Sequence, residues 1–165
     1  MRYTPSAILQ FPYLKAHQFL YRRTGGRVGA RAGGAPALLL TTTGRRSGEP
    51  RTCALIYLQD GNRLVVVASN GGSDHPPAWL LNLKAHPGVG VQIGRRQFAA
   101  TAAVASPQER QRLWPLVNRN NRGLAPLIHR GASGRYDAYQ RHTPRQIPLV
   151  ILDPGSASAT AALRD

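Results

Sequence analysis

The sequence predicts an α+β chain built on a small, closed or nearly closed antiparallel barrel of about six strands with a few flanking helices. Three observations carry that prediction. Apolar, β-branched runs recur between turn signals from residue 37 onward, the connections between them are mostly short, and few stretches show helical spacing or caps. At 165 residues, 42% of them hydrophobic, the chain is long enough to bury the core of one such domain.

Residues 6–23 set Ile8, Leu9, Phe11, Leu14, Phe19, Leu20 and Tyr21 among Lys15, Arg22 and Arg23, the pattern of an amphipathic helix interrupted near Pro12. Such a helix packs on the barrel or lies on a membrane surface. Residues 24–36 are rich in Gly and Arg and read as a loop, so 1–36 forms a helix-and-loop segment ahead of a barrel at 37–153. Strands are expected at 37–43, 51–59 and 63–69, the last two joined at Asp60-Gly61-Asn62. Leu64-Val65-Val66-Val67-Ala68 is too continuously apolar for a strand wetted on one face. A glycine-rich loop at 69–77 leads to a short helix at 78–85 ended by His86-Pro87-Gly88, and a hairpin pairs 89–93 with 96–105 around Gly94-Arg95. Ser106-Pro107-Gln108-Glu109 combines a capping box with a proline at the first helical position, so a helix starts there, and Pro115 should stop or kink it. Residues 118–135 read as irregular and basic, 136–141 as a helical turn, 146–152 as the last strand and 154–165 as a flexible tail.

The charge is strongly one-sided: 22 Lys+Arg against 7 Asp+Glu give a formal +15, and Lys15 and Lys84 are the only lysines. Arginine favours planar, bidentate recognition of anions, which fits nucleic acid, an anionic membrane or a polyanionic ligand. Nucleic acid is disfavoured because two Trp, six Tyr and three Phe are few, and most sit in core-like patterns. Cys53 stands alone, so no intrachain disulfide forms, and the five histidines show no metal-ligand spacing, so no metal is expected. No apolar run is long enough to span a bilayer or serve as a signal segment, which points to a cytoplasmic protein with at most a peripheral membrane contact.

Residues 40–51 concentrate the chemistry. Leu40-Thr41-Thr42-Thr43 breaks into Gly44-Arg45-Arg46-Ser47-Gly48-Glu49-Pro50-Arg51, a turn offering backbone N–H groups, a hydroxyl and guanidinium forks to a phosphate or carboxylate. It matches neither the GxxxxGK[ST] phosphate loop nor the dinucleotide GxGxxG pattern, and on its own it also suits a solvated hairpin.

Further stretches resemble a known family in the same order: Tyr21-Arg22-Arg23-Thr24-Gly25-Gly26-Arg27, Leu38 through Gly48 with Arg51, Asp60-Gly61, Val67-Ala68-Ser69-Asn70-Gly71-Gly72, Pro77-Ala78-Trp79 with Asn82-Leu83, Pro87, and Tyr136-Asp137-Ala138-Tyr139-Gln140 followed by Arg145-Gln146-Ile147-Pro148. The sequence is similar to the deazaflavin-dependent nitroreductases, split β-barrel oxidoreductases that use coenzyme F420. The resemblance implies hydride transfer from the reduced cofactor to a quinone, nitroaromatic or other conjugated acceptor. Because that cofactor carries a phosphate and γ-linked glutamates, Arg45, Arg46, Ser47 and Arg51 are implied to hold its tail. The deazaflavin ring is implied to lie against Thr52, Cys53, Ala54, Leu55 and Ile56, against Val67, Ala68, Ser69 and Asn70, and beside Ala78, Trp79, Leu80, Leu81 and Asn82. Tyr136 and Tyr139 match the family's aromatic lid, where a hydroxyl orients the acceptor or gives a proton and Tyr136 also touches the cofactor; capping of the barrel is their other reading.

Cys53-Ala54-Leu55 stands where the family usually has Thr-Pro-Leu, Trp79-Leu80 where it often has Trp-Tyr, and the stretch between Trp114 and Tyr136 is longer than usual. These departures bear on the acceptor more than on the cofactor. FMN in the same barrel and a non-catalytic deazaflavin carrier are the alternatives; the oligomeric state is not legible.

Overall fold

The computed structural model describes residues 31–32, 35–120 and 135–155. The two-residue β1 (Arg31–Ala32) pairs with β2 (Ala35–Thr43), which continues through β3 (Pro50–Asp60) and β4 (Arg63–Val67). A 3₁₀ turn at Asn70–Gly72 precedes α1 (Ala78–Ala85), followed by β5 (Gly88–Ile93), β6 (Arg96–Val104), α2 (Pro107–Asn120), α3 (Arg135–His142) and β7 (Leu149–Asp153). All pairings are antiparallel, and the order β2-β3-β4-β7-β6-β5 closes on itself because β5 also pairs with β2, with Leu40 opposite Val91. The result is the expected α+β barrel of six strands.

Strand alternation produces two cores. Leu38 and Leu40 of β2, Leu64 and Val66 of β4, and Val150 and Leu152 of β7 point into the barrel, where Leu80 and Leu83 of α1 join them. Val65 and Val67, with Leu149 and Ile151, point outward and are covered by Leu113 and Val117 of α2 and Tyr136 of α3. This two-sided burial explains why Leu64–Val67 reads as a continuous apolar run. At roughly 1.5–3 kcal/mol for each fully buried large side chain, neither layer is dispensable.

Four boundaries differ from expectation by more than one residue. β2 starts at Ala35, inside the stretch read as loop, because Ala35 and Ala37 are buried on the barrel wall. β4 stops at Val67 rather than Ser69, since the positive φ of Asn70, Gly71 and Gly72 turns the chain away. β7 starts at Leu149, after Pro148.

Most clearly, α2 runs through Pro115 to Asn120. Pro115 lies on an exposed face, and Asn118 lends the turn a side-chain bond from Nδ2 to the Trp114 carbonyl at 3.0 Å. The helix start is as expected, with Glu109 N–H donating to Ser106 Oγ at 3.2 Å and Ser106 N–H to Glu109 Oε2 at 3.1 Å. The helix read at 6–23, residues 121–134 of the basic segment and the tail from 156 lie outside the described residues. Among the described residues, no helix is long and apolar enough to cross a membrane.

Candidate functional site

The arginine turn is a tightly tied loop. Gly44 N–H donates to Glu49 C=O and Gly48 N–H to Gly44 C=O, both at 2.8 Å. Gly48 sits at φ 70, a conformation that favours glycine, and a Cβ on Gly44 would crowd Ser47 Oγ at 2.7 Å and the Glu49 carbonyl at 3.1 Å. With the backbone turned in on itself, Arg45, Arg46, Ser47 and Arg51 are exposed. None of these three arginines forms an ion pair among the described residues.

A helix is fastened to this loop. Asn82 of α1, buried, accepts Arg45 N–H on Oδ1 at 3.2 Å and donates from Nδ2 to Thr42 Oγ1 at 3.2 Å. The fastening leaves a cavity of about 510 Å³ between loop, strand and helix, lined by Gly44, Arg45, Arg46, Ser47, Arg51, Thr52, Cys53, Ala78, Trp79 and Asn82. One end is cationic; the other is the apolar wall of Ala78, Trp79 and Cys53. Burial pushes the Cys53 thiol up to about 12, so it lines the cavity as a neutral, unreactive group.

A second cavity of about 800 Å³ runs along β2, β5 and β6. It shares Thr52 with the first but has no charged side chain in its lining, and the Thr41 and Thr52 hydroxyls meet at 2.8 Å on its floor. Of the two, only the first is lined by charged side chains.

The remaining residues that the sequence nominates are scattered by alternation. Cys53 and Leu55 face the interior, whereas Ala54 and Ile56 pair with Leu39 and Ala37 on the opposite face of the sheet. A run of five consecutive strand residues therefore does not act as one wall. Ala68 and Leu80 are buried in the interior core, Val67 is in the outer core, and Leu81 is half-buried; none of these lines the charged cavity. Ser69 and Asn70 also lie outside its lining, at the 3₁₀ turn.

The tyrosines lie elsewhere too. Tyr136 is 7% exposed and packs in the outer core with Leu113 and Val117, its ring edge-on to Tyr139 at 6.3 Å. Tyr139 is half-buried, and its backbone lies 3.2 Å from where a Cβ on Gly72 would be, so α3 rests on the glycine turn.

Two groups that the sequence reading did not single out hold that region together. Arg145 donates to three carbonyls: Ser73 at 2.8 Å through Nε, Ser69 at 2.7 Å, and Ala68 at 3.2 Å from both terminal nitrogens. Asp137 accepts the Trp114 indole N–H at 2.6 Å and Asn118 Nδ2 at 3.2 Å, joining α3 to α2. The only sequence signal for Arg145 is its place among residues matching the family; nothing local shows that its partners lie more than 70 residues away.

Barrel and cavity together define a small antiparallel-barrel protein with a pocket that is cationic at one end and apolar at the other. The chain matches the F420H(2)-dependent quinone reductase family over residues 13–154. It is 42% identical over 142 residues to the F420H(2)-dependent quinone reductase of Mycobacterium tuberculosis strain H37Rv, covering 84% of this chain and 88% of that one. Among solved structures it is similar to an F420-H2 dependent reductase, FDR-A, with a TM-score of 0.59 and 34% identity over 72% of this chain and 94% of that one. A domain-swapped dimer is also similar, with a TM-score of 0.62 and 29% identity over 91% of this chain and all of that one. The chain belongs to the F420H(2)-dependent quinone reductase family.

Proposed function

We propose that this protein is an F420H2-dependent oxidoreductase whose acceptor is a quinone. The observation that carries the reading is the cavity itself: three exposed arginines without ion-pair partners among the described residues sit at one end, and Trp79, Ala78 and Cys53 form an apolar wall at the other. That donor set fits the cofactor's parts. Arg45, Arg46, Ser47 and Arg51 would hold its phosphate and glutamate carboxylates through charge-assisted bonds, and the apolar wall would shield its ring from water. When bound and reduced, the cofactor supplies a hydride. What falls to the chain is to fix the ring, exclude water and leave one face open to the acceptor.

Of the two tyrosines, Tyr136 is better read as packing, because its ring is enclosed by the outer core. Tyr139, half-buried beside the glycine turn, is our candidate for orienting the acceptor or giving it a proton. Tyr139→Phe should then lower turnover by ~10²-fold with little change in cofactor affinity if it is a general acid; an unchanged rate assigns the proton to water or another group. Location in the cytoplasm, with residues 6–23 touching a membrane where apolar quinones dissolve, is part of the same proposal, and flotation with anionic vesicles checks it.

Titration of the purified protein with coenzyme F420 and with FMN, followed by quinone-dependent oxidation of the reduced deazaflavin, tests the whole reading. Micromolar or tighter F420 binding that exceeds FMN binding is expected. Equal or tighter FMN binding overturns the cofactor assignment, and binding without oxidation by any quinone leaves a carrier.

A further inference from the structure

Asn82 lines the charged cavity, yet both ends of its amide are already engaged within the protein. Arg45 N–H can only donate, so the oxygen of the amide must face it, which turns Nδ2 toward Thr42 Oγ1. Thr42, 1% exposed, in turn donates its hydroxyl to Arg51 C=O at 3.3 Å. One buried amide therefore links the backbones of Arg45 and Arg51, the two limits of the arginine turn, through a single threonine. Trp79 lies three residues before Asn82, on the same side of α1, and faces the same cavity.

We infer that Asn82, with Thr42, is a positioning pair: it sets the conformation of the arginine turn and the separation between the arginines and the Trp79 wall. On this view, the pair contributes to recognition of the anionic tail without touching it. The inference rests on the arginine turn being the tail site. A leucine in place of Asn82 would leave Arg45 N–H and Thr42 Oγ1 without their buried partner, and the turn would lose its fixed relation to the helix. The aromatic wall, held by Leu80 and Leu83 in the barrel core, would stay.

The experiment compares binding of coenzyme F420 with that of 8-hydroxy-5-deazariboflavin, which has the same ring without the phosphate and glutamates, by fluorescence titration. Wild type should prefer the tailed compound by at least tenfold. Asn82→Leu and Thr42→Val should each lose most of that preference, affinity for the tail-less ring staying within about twofold in Thr42→Val, and Thr42→Ser, which restores the hydroxyl, should recover it. Because both residues act through one relay, the double variant should be little worse than either single one. In the apoprotein, amide exchange at Arg45 should quicken in Asn82→Leu and Thr42→Val and not in Thr42→Ser. Equal loss of both ligands in Thr42→Val would make the pair a general fold determinant and overturn the inference. So would a preference that survives in Thr42→Val, whose isosteric side chain keeps the core filled even if Asn82→Leu fails to fold. A wild type that binds the two ligands equally removes the tail site itself, a result separate from any variant's behaviour.

Discussion

β3 carries arginine clusters at its two ends, and they have opposite fates. Near its start, Arg45, Arg46 and Arg51 are exposed and meet no carboxylate among the described residues. At its far end, Arg112 grips Asp60 with two bonds of 2.8 and 2.9 Å, and Arg63 bridges Asp60 at 3.0 Å and Glu109 at 3.1 Å. The second cluster fastens α2 to the β3–β4 turn. Arg110 and Arg145 show a third fate: Arg110 stacks at 4.2 Å over Trp114 and donates to the Ile147 carbonyl, and Arg145 is spent on the carbonyls of residues 68–73. In a chain this basic, residue type does not separate structural from ligand-ready cations; the partner does.

The sharpest way to break the comparison is to remove arginines from each end. Arg46→Ala and Arg51→Ala should each weaken coenzyme F420 binding by about 1.5–3 kcal/mol, roughly ten- to 150-fold, and leave the thermal midpoint nearly unmoved, since both side chains are exposed. Calorimetric titration and melting curves check both halves. A variant that melts early with normal affinity would place that arginine in the structural class.

Salt gives a smaller, graded version. Raising ionic strength should weaken wild-type binding more than binding by either variant, because each variant has already lost one screened charge pair. Parallel salt slopes for wild type and Arg46→Ala would mean that Arg46 faces no ligand charge.

How much of this was legible in advance follows from how local each cause is. The barrel was readable because turn chemistry and period-2 patterning act over a few residues: Asp60-Gly61, Gly94-Arg95 and the Ser106–Glu109 box all behave as their neighbours dictate. The arginine turn was readable for the same reason. Pro115 misled because what sustains α2 is tertiary, the burial of Leu113 and Val117 and the Asn118–Asp137–Trp114 bonds. Taking residues 52–56 as one contact surface ignored the alternation that sends Ala54 and Ile56 to the other face. Tyr136 could not be assigned because a buried aromatic and a lid aromatic have the same helical spacing, and Arg145 because its carbonyl partners are far away in sequence.

At the structural end, Asp60→Asn should cost about 1 kcal/mol of stability, the scale of a partly exposed ion pair, and leave cofactor affinity unchanged. Urea midpoints at neutral pH measure the first, and the F420 titration measures the second. A loss of affinity would mean that strain at one end of β3 reaches the other, and the two clusters could no longer be treated as independent.

The smallest expected effect is the shape of the acid arm. Hydrogen bonding from Arg112, with Arg63 adding to it, holds the Asp60 carboxyl at about 2 against an ordinary 3.8, even though partial burial pulls the other way. A carboxylate whose folded pKa is depressed binds fewer protons folded than unfolded, so its stabilisation is fully present above pH ~4 and is lost as the pH falls from there toward 2. Glu109 is also held low, chiefly by the Ser106 backbone N–H, and it remains in the variant. Wild type should therefore lose more stability than Asp60→Asn between pH 4 and 2, with the two curves converging at the acid end, where the wild-type carboxyl is itself neutral. Urea midpoints taken across that window decide it. Curves that run parallel throughout would show that the Asp60 pairs dissolve in solution, and the contrast between the two ends of β3 would then rest on the arginine turn alone.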